Sequence, residues 1–256
     1  MNRLNKIENI RAKLRSAKES VGTWMQIPDS SIAEILGNSG YDWVAIDLEH
    51  GSVCVHQLPN IFRAIELGNT LPLARLANGY AKECKQVLDA GAGGIIVPMI
   101  ESAEQLIQVR DACCWPPAGK RGIGFSRANL FGKHFEDYTK EAQSPLLVAM
   151  IENISAIENL EEILTVDGLD AIFIGPYDLS ASMGLTAGFE DPEFISCMKI
   201  ICEKSKEYKV PYGIHIVKPD SNKLKQSIEE GYQFIAYSTD SVILSEYAAL
   251  PINLEN

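Results

Sequence analysis

No stretch of this chain is apolar for long enough to cross a bilayer. Met1–Ser20 is charged and carries no apolar h-region, which argues against a secretory signal. Positive charge is scarce. With 23 Lys and Arg against 34 Asp and Glu, the net charge is −11. So acidic a surface is a poor non-specific ligand for nucleic acid or anionic lipid, and neither is expected as a partner. The six cysteines, at 54, 84, 113, 114, 197 and 202, contain no C-x-x-C pair. The adjacent Cys113 and Cys114 are poorly placed to bridge each other. This usage suits reduced thiols in the cytoplasm and supplies no zinc-ligand spacing. The glycine fingerprint of a dinucleotide fold is missing as well. After the first apolar run stands Pro28-Asp29-Ser30-Ser31. Gly119-Lys120 is followed by Arg121, not the Ser or Thr of a phosphate loop.

The chain does have an even alternation of apolar runs and helical stretches along its 256 residues. Its 46% hydrophobic and 22% charged residues are enough for one large core. Strands are predicted at 21–27, 42–48, 71–76, 94–100, 146–151, 171–174, 212–216 and 234–237. Helices are predicted over Ser31–Ser39, Gln57–Leu67, Ala81–Ala90, Ala103–Ala112, Ser155–Leu164, Pro192–Tyr208, Asn222–Glu230 and Ser241–Leu250. The strands are apolar without strict alternation, as when both faces are covered. Eight such units point to a single (β/α)8 barrel, with an open doubly wound sheet as the alternative. The segment 115–141 breaks the rhythm with Pro, Gly and charge. It reads as an inserted loop on the barrel top.

In such a barrel the C-terminal strand ends form the active site. The polar residues there are Asp47, Glu49, His50, Arg75, Glu152, Asp178, His215 and Asp240. Glu152 and Asp178, one unit apart, suit a hard divalent cation through oxygen, or else each caps the helix after it. A bend after Leu48 would set Asp47 against the His50 imidazole and make that ring a general base. Arg75, between leucines, is either a structural ion pair or a fork for a carboxylate or enolate oxygen. His215 reads equally as an acid/base or as an interior hydrogen-bonding residue.

At these residues the sequence resembles the class II pyruvate aldolases of the HpcH/HpaI type, relatives of 4-hydroxy-2-oxoheptanedioate aldolase. The matching stretches are Gly22-Thr23-Trp24, the run Asp42 to Gly51 with its Asp47-Leu48-Glu49-His50-Gly51, Ala74-Arg75, Leu88-Asp89-Ala90-Gly91, Ile96-Val97-Pro98-Met99, Trp115 to Gly122, Ile151-Glu152 and Ile174-Gly175-Pro176-Tyr177-Asp178-Leu179-Ser180. They run in order through nearly the whole chain. The resemblance implies a divalent metal, Mg2+, Mn2+ or Co2+, on Glu152 and Asp178. It implies that Arg75 meets a pyruvate oxygen and that His50 with Asp47 handles protons. Gly175, Pro176 and Trp24 stand as substrate-binding candidates. Asp89 is implied at a subunit boundary, in a hexamer of dimers that exchange the last helix. Family members often carry Gln where this chain has Met150, and apolar or small residues where it has His215 and Tyr237. The expected activity is metal-dependent cleavage or formation of 4-hydroxy-2-oxo acids from pyruvate and an aldehyde. The alternative is an enolate-forming lyase on an acyl-CoA, or a decarboxylase. A CoA partner would want the basic cluster Lys120, Arg121, Arg127 and Lys133 as a phosphate groove.

Overall fold

Parallel pairing runs unbroken from strand to strand and closes the eighth onto the first, forming a barrel. The structure is a computed structural model and describes residues 2–248. The strands are β1 (Ser20–Met25), β2 (Trp43–Asp47), β3 (Leu71–Arg75), β4 (Gly94–Val97), β5 (Leu146–Ile151), β6 (Ala171–Ile174), β7 (Tyr212–Ile216) and β8 (Phe234–Thr239). Around and between them lie α1 (Arg3–Arg15), α2 (Ser30–Gly37), α3 (Leu58–Leu67), α4 (Ala81–Ala90), α5 (Ala103–Cys113), α6 (Phe135–Gln143), α7 (Ile154–Glu158), α8 (Leu160–Leu164), α9 (Pro176–Ser182), α10 (Pro192–Tyr208), α11 (Ser221–Glu229) and α12 (Asp240–Tyr247). The expected last helix extended to Leu250, and positions 249 and 250 lie outside the described residues. Several expected strands ran past their observed ends, at 27, 48, 76 and 100. Those overhangs are the βα loops that build the mouth.

Period-two alternation divides the core in two. Outward residues such as Ile46, Ile95, Ala149 and Ile172 pack against the helix layer. Inward residues, among them Trp24, Trp43, Leu73, Ile96, Val148, Phe173 and Phe234, fill the barrel. Ile7, Ile10 and Leu14 of α1 join that interior cluster and close its base. Their spacing sets one apolar stripe on an otherwise charged helix. The sequence reading passed over α1, because the stripe is only three residues wide.

Three expectations are corrected. The segment 115–141 does not lie on the barrel top. It joins the end of α5 to the start of β5, and a helix running antiparallel to its strand ends at the base. Arg127 donates to the carbonyl of Ala90 at the end of α4 (2.9 Å), and Arg3 of α1 donates to that of Ala128 (2.5 Å). Nor is the segment without regular structure, since α6 begins at Phe135. The helix expected over Ser155–Leu164 is broken at Asn159 into α7 and α8.

The interior balances large rings against missing side chains. Trp43 stacks on Phe234 with centroids 4.5 Å apart. It lies over Gly22, where a Cβ would meet its ring at 2.0 Å. Gly22→Ala should therefore overpack this layer and cost about 2–3 kcal/mol. Trp43→Leu should lose as much or more alone, yet relieve the clash in the double variant. Denaturant midpoints of the two single variants and the double variant check this. Fully additive losses would show that the two positions do not meet.

Candidate active site

The uppermost inward layer of the barrel is ionic. Register sets Asp47 of β2 beside Arg75 of β3. Arg75 donates from Nε to Asp47 Oδ1 (2.9 Å) and from Nη2 to Oδ2 (2.6 Å). Its Nη1 lies 3.1 Å from Glu49 Oε2. The guanidinium rests over the Trp24 ring, 4.7 Å from the centroid. Burial opposes ionisation of Asp47, but the Arg75 fork and the Gln26 amide (2.8 Å) override it and hold the carboxyl below its usual range. The ion-pair reading of Arg75 is thus realised, with the guanidinium still turned along the mouth.

The expected contact between Asp47 and the His50 imidazole is not formed. Both Asp47 oxygens are engaged by Arg75, and Oδ1 also accepts the backbone N–H groups of Glu49 and His50 (3.1 Å each). Asp47 therefore fixes the turn that carries His50, not its ring. The imidazole is exposed at the rim, with Nε2 3.8 Å from Glu49 Oε2.

Glu152 follows β5 and is 3% exposed. Its Oε1 accepts the N–H of Met99 (2.7 Å). Met99 presents that N–H from a left-handed backbone, φ 52°. Gln105 braces the same turn, donating to the Met99 carbonyl and accepting from Glu101 N. Gly175 leaves room on the other side, since a Cβ there would stand 2.6 Å from Glu152 Oε2. Burial pushes the Glu152 carboxyl up to about 7, against the Met99 bond, and the charges of Glu49 and Asp178 push the same way. Glu49 is raised too, by burial first and then by Asp47 and Asp178 against the pull of Arg75. Asp178 lies in the first turn of α9, behind Gly175 at the cap and Pro176 at the first position. Asp178 makes no capping hydrogen bond there, although its charge is favourable in a first turn, and at α7 the cap is Asn153 and not Glu152. No group of three or more His, Cys, Asp or Glu forms a metal-holding cluster among the described residues.

The sequence reading placed Glu49 at a strand end but gave it no role, and gave none to Gln26 or Met99. The first was legible from its place in the Asp47–His50 run. The second acts by a side chain reaching across from β1. The third acts through its backbone, which no residue type announces. Met150 faces inward and is buried below Glu152. His215 also faces inward, edge-on to Trp24 with centroids 6.0 Å apart. Its Nε2 is buried and has no hydrogen-bond partner among the described residues. Tyr237 packs against the outer helix layer instead and has no part in the mouth.

Asp89 sits near the end of α4, far down the barrel from these groups. Its Oδ1 is buried without a hydrogen-bond partner, 3.9 Å from Arg121 Nη1. A cavity of about 890 Å³ at the base is lined by Arg3, Glu66, Arg127 and Tyr138 among others and contains none of the mouth residues.

A closed (β/α)8 barrel with an arginine and several carboxylates at the C-terminal strand ends defines an enzyme of the TIM-barrel class. Residues 20–246 match the family described as HpcH/HpaI aldolase/citrate lyase. The chain belongs to that family. It is 37% identical over 243 residues to a hydroxypyruvate/pyruvate aldolase of Roseobacter denitrificans, covering 93% of each chain. It is 35% identical over 237 residues to the 2-keto-3-deoxy-L-rhamnonate aldolase of Escherichia coli K12, covering 91% of this chain and 88% of the other. Among solved structures, an HpcH/HpaI aldolase/citrate lyase family protein from Burkholderia cenocepacia superposes with a TM-score of 0.87 at 28% identity, over 94% of this chain and 96% of that one.

Two predictions follow from the geometry. Asp47→Asn leaves Arg75 half-buried against a neutral partner and should cost about 3 kcal/mol or more. In denaturation cycles it should be strongly non-additive with Arg75→Gln and additive with His50→Ala. Non-additivity with His50 alone would restore the Asp47–imidazole pairing. The second concerns His215, whose pKa is pushed down to about 4 by burial, with Arg75 adding to the effect and a Ser238 backbone hydrogen bond opposing it. Because the folded value lies below the ordinary 6.5, the unfolded chain takes up the proton first. Stability is then full above about pH 6.5 and is lost as pH falls towards 4. Relative to His215→Leu, the wild-type chain should lose about 2 kcal/mol between pH 8 and pH 5. Parallel urea titrations at the two pH values test it, and equal losses would refute it.

Proposed function

We propose that the chain is a divalent-metal-dependent aldolase that breaks or forms the carbon–carbon bond of 4-hydroxy-2-oxo acids, with pyruvate or a related 2-oxo acid and an aldehyde as the two halves. The observation that carries this reading is the convergence of Glu152, Glu49 and Asp178 on one mouth beside Arg75. A buried carboxylate raised to about 7 among like charges is a site that a cation would relieve. Glu152 and Asp178 would hold it, and Mg2+, Mn2+ or Co2+ all suit an oxygen donor set. When bound, the ion supplies Lewis-acid stabilisation of negative charge on the 2-oxo group.

The residues of the chain do the rest. Arg75, clamped by Asp47, offers a fixed positive charge to the same oxygen without reorganising. Trp24 floors the site, and Gly175 with Pro176 keeps its wall short enough for a substrate carboxylate. His50, at the rim with Glu49 beside it, takes the 4-hydroxyl proton in cleavage and returns it in synthesis. The reading also includes a homo-oligomer, hexameric by family likeness. Asp89, whose buried Oδ1 has no hydrogen-bond partner among the described residues, would then serve a neighbouring subunit's site. The six free thiols and the family suit the cytoplasm, and no helix is long and apolar enough to cross a membrane among the described residues. The acyl-CoA alternative finds less support, since two of its four basic residues are engaged within the fold: Arg127 pairs with Glu66, and Arg121 is buried against Tyr138.

Glu152→Gln and Asp178→Asn should each weaken Mg2+ or Mn2+ binding at least tenfold by calorimetry and lower aldol cleavage by a hundredfold or more, with the barrel still folded. Chelation should abolish wild-type turnover reversibly. Full activity after chelation, or unchanged cation affinity in both variants, would rule out this metal site.

A further inference from the structure

The mouth has two ends, and the proposed reaction uses only one. Arg75 and the carboxylates crowd the first. Across the Trp24 ring lies the second, bounded by Phe173, edge-on to Trp24 at 5.7 Å, and by the His215 imidazole. Apart from His215 this end is apolar. Met150, Phe173 and Ala236 belong to the same interior cluster as Trp24. An imidazole here is poorly explained by packing, since a leucine of similar volume would fill the space with no polar atom to satisfy. Yet His215 Nε2 is buried and unpartnered among the described residues.

We infer that His215 is a specificity-determining residue, which hydrogen-bonds a hydroxyl group on the aldehyde half of the substrate and so selects hydroxyaldehydes over their apolar isosteres. The inference rests on the aldolase reading above. With the 2-oxo end held at Arg75 and the carboxylates, the remainder of the substrate lies over the Trp24–Phe173 floor, towards β7. The other ring nitrogen spends its N–H on the Ser238 backbone, so the neutral imidazole presents Nε2 as a free acceptor that can take a hydrogen bond from a substrate hydroxyl. A site built to hydrogen-bond an OH rejects the analogue lacking it, because its own polar atom is then left unpaired. Tyr237, on the next strand, points to the helix layer and offers no competing group.

The test uses the full chain with pyruvate and two matched aldehyde pairs: glycolaldehyde with propanal, and lactaldehyde with 2-methylpropanal. In each pair a methyl group replaces a hydroxyl. The wild-type enzyme should prefer the hydroxylated member in kcat/KM. His215→Leu should lower that preference about tenfold, the worth of one neutral hydrogen bond, while changing the rate with propanal less than threefold. His215→Gln, which returns a donor and an acceptor at similar reach, should recover most of the preference. Equal losses with both members of a pair would make His215 a packing residue and overturn the inference, as would an unchanged preference in both variants. Should His215→Leu fail to fold, the wild-type and His215→Gln preferences decide: no wild-type preference for the hydroxylated aldehydes overturns it. Absence of aldol product from any aldehyde with wild-type enzyme would instead overturn the aldolase reading, and this inference with it.

Discussion

The ion pair between Asp47 and Arg75 is the constraint on which the mouth depends. It joins neighbouring strands through two hydrogen bonds, and it sits at the last layer where the barrel still excludes water. Two charges in such a place are costly to desolvate, and only good geometry with further hydrogen bonds makes the arrangement tolerable. Both conditions are met. Gln26 ties Asp47 to β1 and is itself held by Ser241 (2.8 Å), whose backbone N–H donates to Asp240. Asp240 also accepts the N–H groups of Gln26 and Ile27. The guanidinium is thereby fixed by a network spanning β1, β2 and β3 and the start of α12. A charge so held needs little reorganisation to meet an anion at the mouth.

The carboxylates show the opposite balance. Glu152 has one backbone N–H and two acidic neighbours, and the protein does not neutralise it from within. Its surroundings are shaped to keep it there regardless. Met99 holds a left-handed backbone to present its N–H, and Gly175 forgoes a side chain that would strike the carboxylate. Strain and forgone packing meet at one spot, and neither stabilises the fold. The mouth thus pairs one cationic group that is satisfied with anionic groups that are not.

Much of this was legible in the sequence because the barrel repeats. Apolar runs spaced by helical stretches gave the eight strands within a few residues, and strand ends located Asp47, Arg75 and Glu152 without coordinates. What escaped had specific causes. α1 carries its apolar stripe on three residues amid charge, a signal that becomes meaningful only once an open barrel base needs closing. The 115–141 segment was assigned to the top because long loops tend to be functional. Connectivity overrules composition, since everything between a helix end and the next strand falls at the base. The Asp47–His50 pairing failed through competition. Sequence proximity favoured the imidazole, but register placed a guanidinium opposite with the right fork for both oxygens.

His215 shows what such readings leave for the structure to decide. From sequence it was one of three departures from the family's usual residues, with Met150 and Tyr237, and it read equally as an acid/base or as an interior residue. Parity separates it from Tyr237. On β7 and β8 successive side chains alternate between interior and helix layer, and the register sets His215 against Ala236. His215 therefore faces the barrel interior beside Trp24, whereas Tyr237 faces the helix layer. A polar atom enclosed beside Trp24 lowers stability unless something meets it, and no side chain of the described protein does. The same physics that makes Arg75 and Asp47 a settled pair makes His215 an unsettled group, and it is at the unsettled groups that a ligand has most to add.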